Sequence, residues 1–379
     1  MKKILIVNTK TDISSLFDFF ETLNNAGYSL YLRSFSPKLV NKFKKNKIQA
    51  KKIFGWPAKL NFLLLIIFII LIPLSLLIIL FNLSFLKYKN KISVLIIFTL
   101  EEKILFTPIA KLLKLKIVWL ECPKEHYNNP SPTLIKISKL FSPWAKIIAV
   151  TDIAKKEFVK LKWNSELITV LNPGIKLKHY HQDNIFSRIA EEEKKNVNKK
   201  FFSIGTIIDL NDNQKIETLF RAAKICLSVI PSLQIIVIGE GEEKKSLGWF
   251  SKKLGIDSLV WFVGKQSYLK KWLENLDIYI ITAKQLTIKD FKQTLEAQVC
   301  GVPIIGFVNT GIDNIITNNK TGILLEKDSN DELAQAIISL YKVKRLRKEL
   351  GKSCREQVIN NFGIKKMAEQ FINIIQAKE

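Results

Sequence analysis

Apolar runs rich in Ile, Leu, Val and Phe alternate twice along the chain with amphipathic stretches of helical period, and few architectures accept that pattern. A strand that is apolar at nearly every position is buried on both faces, which requires a parallel sheet covered by helices. The first series reads as strands KKILIVN (2–8), YSLYLRS (28–34), KISVLIIF (91–98), KIVWLE (116–121), AKIIAV (145–150) and ELITVLNPGI (166–175), with helices expected near 14–26, 101–114, 133–141 and 152–161. The second reads as KFFSIGTI (200–207), LQIIVIGEG (233–241), LVWFVGK (259–265), DIYIITA (277–283), VPIIGF (302–307) and TGILLE (321–326). Its helices are expected near 215–229, 242–254, 267–275 and 291–300, followed by 330–341, 344–359 and 363–377. Each series predicts one Rossmann-like α/β domain, and 379 residues suffice for two at roughly 100 to 200 each. The predicted boundaries are 1–178 for the first domain, 179–199 for a polar linker and 200–360 for the second domain. A tail helix in 361–379 is expected to pack back on the first.

One segment departs from the alternation. Leu60 to Leu86 is 27 residues without a charge, 22 of them Leu, Ile or Phe. At about −0.3 to −0.6 kcal/mol each, those 22 side chains favour a bilayer by roughly 7 to 13 kcal/mol. Pro73 divides the run into arms of 13 residues, each about 20 Å as helix and too short for a core of about 30 Å. Lysines flank both ends, and strands before and after the run belong to one predicted sheet. Those observations predict a re-entrant apolar helical hairpin and a monotopic protein on the cytoplasmic face of the membrane. The run Ile4–Val7 is too short for a signal peptide.

The net charge of +25 is concentrated: between Glu21 and Glu101 there is no Asp or Glu, while Arg33 and eleven lysines fall there. No zinc-finger, helix-turn-helix or RNA-recognition pattern accompanies them, so the expected partner is an anionic membrane surface and not nucleic acid. Cys122, Cys226, Cys300 and Cys354 are too dispersed for a metal site, and His126, His179 and His181 form no HExxH motif. Neither metal nor cofactor is expected.

Candidate ligand positions lie where strands end. Gly239-Glu240-Gly241 follows a strand and precedes a helix, which suits either close approach of a phosphate or a plain tight turn. Gly205 has the same two readings. Glu296 is expected to open a helix at the C-terminal edge of the sheet, where its carboxylate would accept two ribose hydroxyls or simply complement the helix dipole.

KIIAVTDIAKKEFVKL, VLNPGIKLKHY, IVIGEGEE, VWFVGK, LEAQVCGVPIIG and NNKTGILLEKD together resemble the retaining GT-B glycosyltransferases of family 4 over nearly the whole chain. The resemblance implies GT-B architecture: two Rossmann-like domains facing across a cleft, the second holding a nucleotide sugar, the first an acceptor, with no metal. It implies that Glu296 contacts the ribose and that Val263, Gly264 and Lys265 lie beside the base. Gln293, Thr294 and Gly311 would lie in turns lining the diphosphate and sugar.

Departures are also legible. The family's phosphate-binding Arg falls on Thr206 and its Lys on Gln214, with Lys215 adjacent; the first Glu of its Glu-x7-Glu motif falls on Ile288, with Asp290 the nearest carboxylate. A later Glu falls near Asp313 and Asn314. A leaving diphosphate develops negative charge, so Lys215, Lys265, Lys284, Lys289 or Lys292 are candidate substitute cations. Glu121 lies near a position where relatives carry His, and it or His126 could orient an acceptor hydroxyl. The expected activity is sugar transfer to a lipid-linked or glycan acceptor of the cell envelope. The rival is a non-catalytic scaffold or regulator that keeps the fold and has lost donor chemistry.

Overall fold

The computed structural model describes residues 2–9, 11–53, 62–122, 132–180, 200–211, 216–284, 286–308, 310–326 and 328–377, and does not describe the side chains of 62–75 and 179. The expected linker over 179–199 and its His181, together with His126, Gln214 and Lys215, thus lie outside the described residues or nearly so. The chain divides into two compact units, Met1–Pro173 with Ile364–Glu379, and Gly174–Gly363.

The first unit holds strands β1 (Lys3–Asn8), β2 (Ser29–Ser34), β3 (Gln49–Lys52), β4 (Val94–Ile97), β5 (Lys116–Glu121), β6 (Lys146–Ala149) and β7 (Ile168–Val170). They form one sheet of order β3-β2-β1-β4-β5-β6-β7, every neighbour parallel. The central strands β1 and β4 are buried at nearly every position, which is why they read as unbroken apolar runs. In contrast, β3 buries only Ala50 and sits at the edge, its lysines guarding the open side. This strand and the helix Pro37–Lys45 before it fall in the lysine-rich stretch, where the sequence signalled charge and no element. Ser36 caps that helix, accepting from the Leu39 amide at 3.4 Å, and Leu39, Val40 and Phe43 form its buried stripe.

The apolar run does not form a hairpin. A single helix extends from Phe62 to Asn90, 29 residues that pass through Pro73. It is the crossover from edge strand β3 back to β4 beside β1, and so belongs to the doubly wound fold itself. In the part with described side chains, Leu83 and Leu86 are buried and Leu76, Ile79 and Leu80 pack against the same core. The spacing of those five makes one helical stripe, and burying Leu83 and Leu86 contributes about 1.5–3 kcal/mol each. On the other side Leu77, Ile78, Phe81, Phe85 and Tyr88 are exposed. Among the residues whose side chains are described, which in this helix are 76–90, no helical stretch is long and apolar enough to cross a membrane.

The last helix, Ile364–Gln376, belongs to this first unit. Phe371 meets Phe19 edge-on at 5.2 Å between centroids. Lys116 and Lys146, at the starts of β5 and β6, donate to the carbonyls of Ile375 (3.1 Å) and Ile374 (2.9 Å), satisfying a helix end that carries negative partial charge.

The second unit holds β8 (Phe202–Ile207), β9 (Leu233–Ile238), β10 (Val260–Gly264), β11 (Ile278–Ile280), β12 (Ile304–Phe307) and β13 (Ile323–Leu325), in the order β10-β9-β8-β11-β12-β13, again all parallel. Its core packs on both faces of the sheet. The helix expected at 267–275 shrinks to one turn, Lys270–Leu273, and that expected at 291–300 starts earlier, spanning Ile288–Val299.

Candidate functional site

In the second sheet, β8 has β9 on one side and β11 on the other, and the loops leaving β8 and β11 part at the C-terminal edge. Open parallel sheets bind ligands in the crevice such a switch point creates. Side chains of the described residues join its walls. The buried Thr206 hydroxyl, in β8, lies 3.1 Å from that of Thr282, after β11. Further out, Lys289 Nζ reaches Asp209 at 2.8 and 2.9 Å to the two carboxylate oxygens.

Gly205 is not in a turn: it lies within β8, and an added Cβ would sit 2.6 Å from the side chain of Leu276. Packing alone requires a small residue there. At Gly239, with φ of +152°, a Cβ would fall 1.7 Å from the Ile208 carbonyl oxygen, and at Gly241 one would fall 2.2 Å from the Leu210 carbonyl carbon. These glycines let the 239–241 turn close against the loop after β8, where Leu210 donates to the Glu240 carbonyl at 3.0 Å. Beside them, Gly239 donates to the Gly264 carbonyl at 3.1 Å, so Val263, Gly264 and the exposed Lys265 form the adjoining wall. Glu240 is exposed on that rim.

The 288–299 helix begins at a capping box. Thr287 accepts from the Asp290 amide at 3.2 Å, and Asp290 Oδ2 accepts from the Thr287 amide (2.9 Å) and hydroxyl (2.7 Å). Asp290 therefore caps its own helix, and Ile288 is a buried apolar residue where a carboxylate was sought. Gln293 and Thr294 are in the helix and not in turns; both are buried, and Thr294 donates to the Asp290 carbonyl at 2.9 Å.

Glu296 does not open the helix. It lies eight residues beyond Ile288, about 12 Å along the axis, so the dipole at the N-terminus does not account for it. Its carboxylate does act on Tyr180, whose hydroxyl is pushed upward by burial first and by the charge of Glu296 second. Gly311, with φ of +100°, heads the turn Ile312–Asn314 that contains Asp313, and Leu286 donates to the Thr310 carbonyl at 2.9 Å. Described positions from six segments thus gather at one edge: 205–206, 209, 239–241, 263–265, 287–290 and 310–311. Asp209 and Thr282 were missed, because neither carries a local signal.

The first unit has its own switch point, between β1 and β4. Glu102 is wholly buried there and accepts from the Thr9 amide (2.6 Å) and hydroxyl (2.7 Å), the Phe98 amide (2.8 Å) and the Thr99 amide (3.1 Å). Burial nonetheless raises its pKa above the ordinary value. Glu121 is also wholly buried, paired with Lys103 at 2.5 Å, and so is not presented to an acceptor. Burial lowers the Lys103 pKa, against the opposing pull of Glu121; the ammonium also lies 5.3 Å from the Trp119 ring centroid. The pattern Thr99-x-x-Glu102 was a legible capping box, but its burial was not. Among the described residues no group of three His, Cys, Asp or Glu is placed to hold a metal ion.

Two parallel-sheet Rossmann-like domains match solved GT-B structures in fold. The Anabaena protein HepE in complex with UDP superposes with a TM-score of 0.77 at 16% identity, covering 98% of this chain and 99% of that one. Residues 187–357 match the family model of glycosyl transferases group 1. Among curated proteins, N-acetyl-alpha-D-glucosaminyl L-malate synthase of Bacillus anthracis is 26% identical over 170 residues, 44% of this chain and 44% of the relative. Poly(ribitol-phosphate) alpha-N-acetylglucosaminyltransferase of Staphylococcus aureus is 22% identical over 205 residues, 53% of this chain and 41% of the relative. The chain therefore spans less than half the length of these two curated relatives.

Proposed function

We propose that the chain is a glycosyltransferase that moves a sugar from a nucleotide sugar to a lipid-linked or glycan acceptor of the cell envelope, with retention of configuration and without a metal. The observation that carries the reading is the switch-point edge of the second unit, which lies within the region matched by the group 1 family model. The 288 end of the helix carries positive partial charge suited to a diphosphate, and the 263–265 turn supplies a wall for a base. Glu296 is assigned to the ribose on the resemblance of its motif. The relative from Staphylococcus aureus, named for transfer of N-acetylglucosamine to a poly(ribitol-phosphate), supports an envelope acceptor.

Membrane association belongs to the same reading, in a form other than a hairpin. The exposed face Leu77, Ile78, Phe81, Phe85 and Tyr88 adjoins the exposed Lys89, whose ammonium lies 5.1 Å from the ring centroid of Phe85, while Lys87 turns to its own domain and donates to the Leu113 carbonyl. A helix that packs one stripe on its own domain and offers the other to lipid lies along the surface of a bilayer, with Lys89 at the anionic headgroups. That surface is assigned to the cytoplasmic face.

The non-catalytic alternative draws on three observations: Ile288 is apolar, Asp290 serves as a cap, and Thr206 is buried against Thr282. Calorimetry with UDP-, GDP-, ADP- and dTDP-sugars, with Glu296→Ala as control, separates the two. Selective binding weakened by the substitution is the expected result; folded protein that binds none of the four refutes the donor site.

A further inference from the structure

A leaving nucleoside diphosphate needs a cation at the place where its charge develops. Thr206 is neutral and buried, so the β8 side of the crevice offers no charge at that position. Lys289 is held across the crevice in a specific way. It is the second residue of the 288–299 helix, its backbone held by the Thr287–Asp290 capping box, and its ammonium spans the switch point to Asp209, two residues beyond β8. Both side chains remain substantially exposed, at 47% for Lys289 and 67% for Asp209. An ion pair so open to water adds little to folding, and separating its partners costs correspondingly little. The arrangement therefore holds a cation at the mouth of the crevice while leaving it free to change partner.

We propose that Lys289 is the cation that receives the diphosphate of the donor, and that Asp209 is its resting counter-ion, displaced as the diphosphate binds. This rests on the glycosyltransferase reading above. The diphosphate oxygens would replace the Asp209 carboxylate as acceptors of the Lys289 N–H groups, beside a helix terminus that already favours negative charge. No covalent bond changes at Lys289; it stabilises charge on the departing group.

The test is calorimetry on the full chain with UDP, GDP, ADP and dTDP, each compared with its nucleoside. For whichever diphosphate the wild type binds, Lys289→Ala should weaken binding roughly 10- to 100-fold, the size of a charge-assisted hydrogen bond. Nucleoside binding should be unchanged, Lys289→Arg should recover most of the loss, and Asp209→Asn should tighten diphosphate binding. Unaltered diphosphate affinity in Lys289→Ala, or equal loss for nucleoside and diphosphate, overturns the assignment of Lys289. Weaker binding in Asp209→Asn overturns the counter-ion role. A wild type that binds no nucleotide defeats the glycosyltransferase reading and this inference with it, which distinguishes that failure from the first. An unchanged melting temperature in the Lys289 and Asp209 variants shows that the differences are not loss of fold.

Discussion

Removing Lys103 alone should be among the most damaging single changes in the first unit. Lys103 and Glu121 are both fully buried and 2.5 Å apart, and Glu102 lies wholly buried nearby. Lys103→Met preserves the length and apolar stem of the side chain but takes from the buried Glu121 carboxylate the ammonium it is paired with. Breaking a buried pair from one side costs about 3–5 kcal/mol. For a unit of about 190 residues, each kcal/mol shifts the melting temperature by about 2–4 °C, so the expected fall is roughly 6–20 °C. The double variant Lys103→Met/Glu121→Leu removes both charges, while Glu102 retains its four donors. It should recover to within about 1 kcal/mol of wild type or exceed it. Scanning calorimetry and urea melts of the wild type, the two singles and the double give the coupling energy directly. A loss below about 1 kcal/mol in Lys103→Met, or a double as unstable as that single, would refute the claim that the pair is desolvated and mutually dependent.

Two further outcomes follow from close packing and from the exposed helix face. Gly239→Ala should destabilise the second unit by about 2–4 kcal/mol, since its Cβ meets backbone at 1.7 Å and its φ is +152°. Gly205→Ala should cost about 1–3 kcal/mol, because Leu276 presents a side chain that can shift; equal losses by urea denaturation would contradict the distinction. Phe81→Glu/Phe85→Glu should leave the melting temperature nearly unchanged, as both side chains are exposed, yet abolish sedimentation with vesicles containing phosphatidylglycerol. Retained sedimentation, or wild-type binding that ignores the anionic lipid, would count against the membrane surface assigned here.

The elements themselves were largely legible. Ile4 to Val7, Val94 to Ile97 and Ile235 to Ile238 are continuous apolar runs because each strand is covered on both faces, and burial of that kind is written into adjacent residues. The helix Phe62–Asn90 was legible as apolar but not as a crossover. With nearly every position hydrophobic, nothing in the run distinguishes the stripe of Leu76, Ile79, Leu80, Leu83 and Leu86 from the exposed face, and only the β3-to-β4 connection selects it. The lysines of 38–52 hid a helix and an edge strand for the opposite reason: three inward residues, Leu39, Val40 and Phe43, suffice to anchor a nine-residue helix among charges.

At the candidate site the division is sharper. A motif could mark the neighbourhood of Glu296, but the depth of that residue along its helix depends on where Thr287 caps it. That Gly239 and Gly241 serve the approach of two loops, that Asp290 is a cap, and that Glu121 is sealed against Lys103 were decided in three dimensions. The pair Lys289 and Asp209 joins positions 80 residues apart. Periodicity in the amino-acid sequence records which residues meet the core, because burial is a property each segment carries alone. Which polar groups meet one another depends on the order of strands in the sheet, and that order is set by the packing of the whole domain.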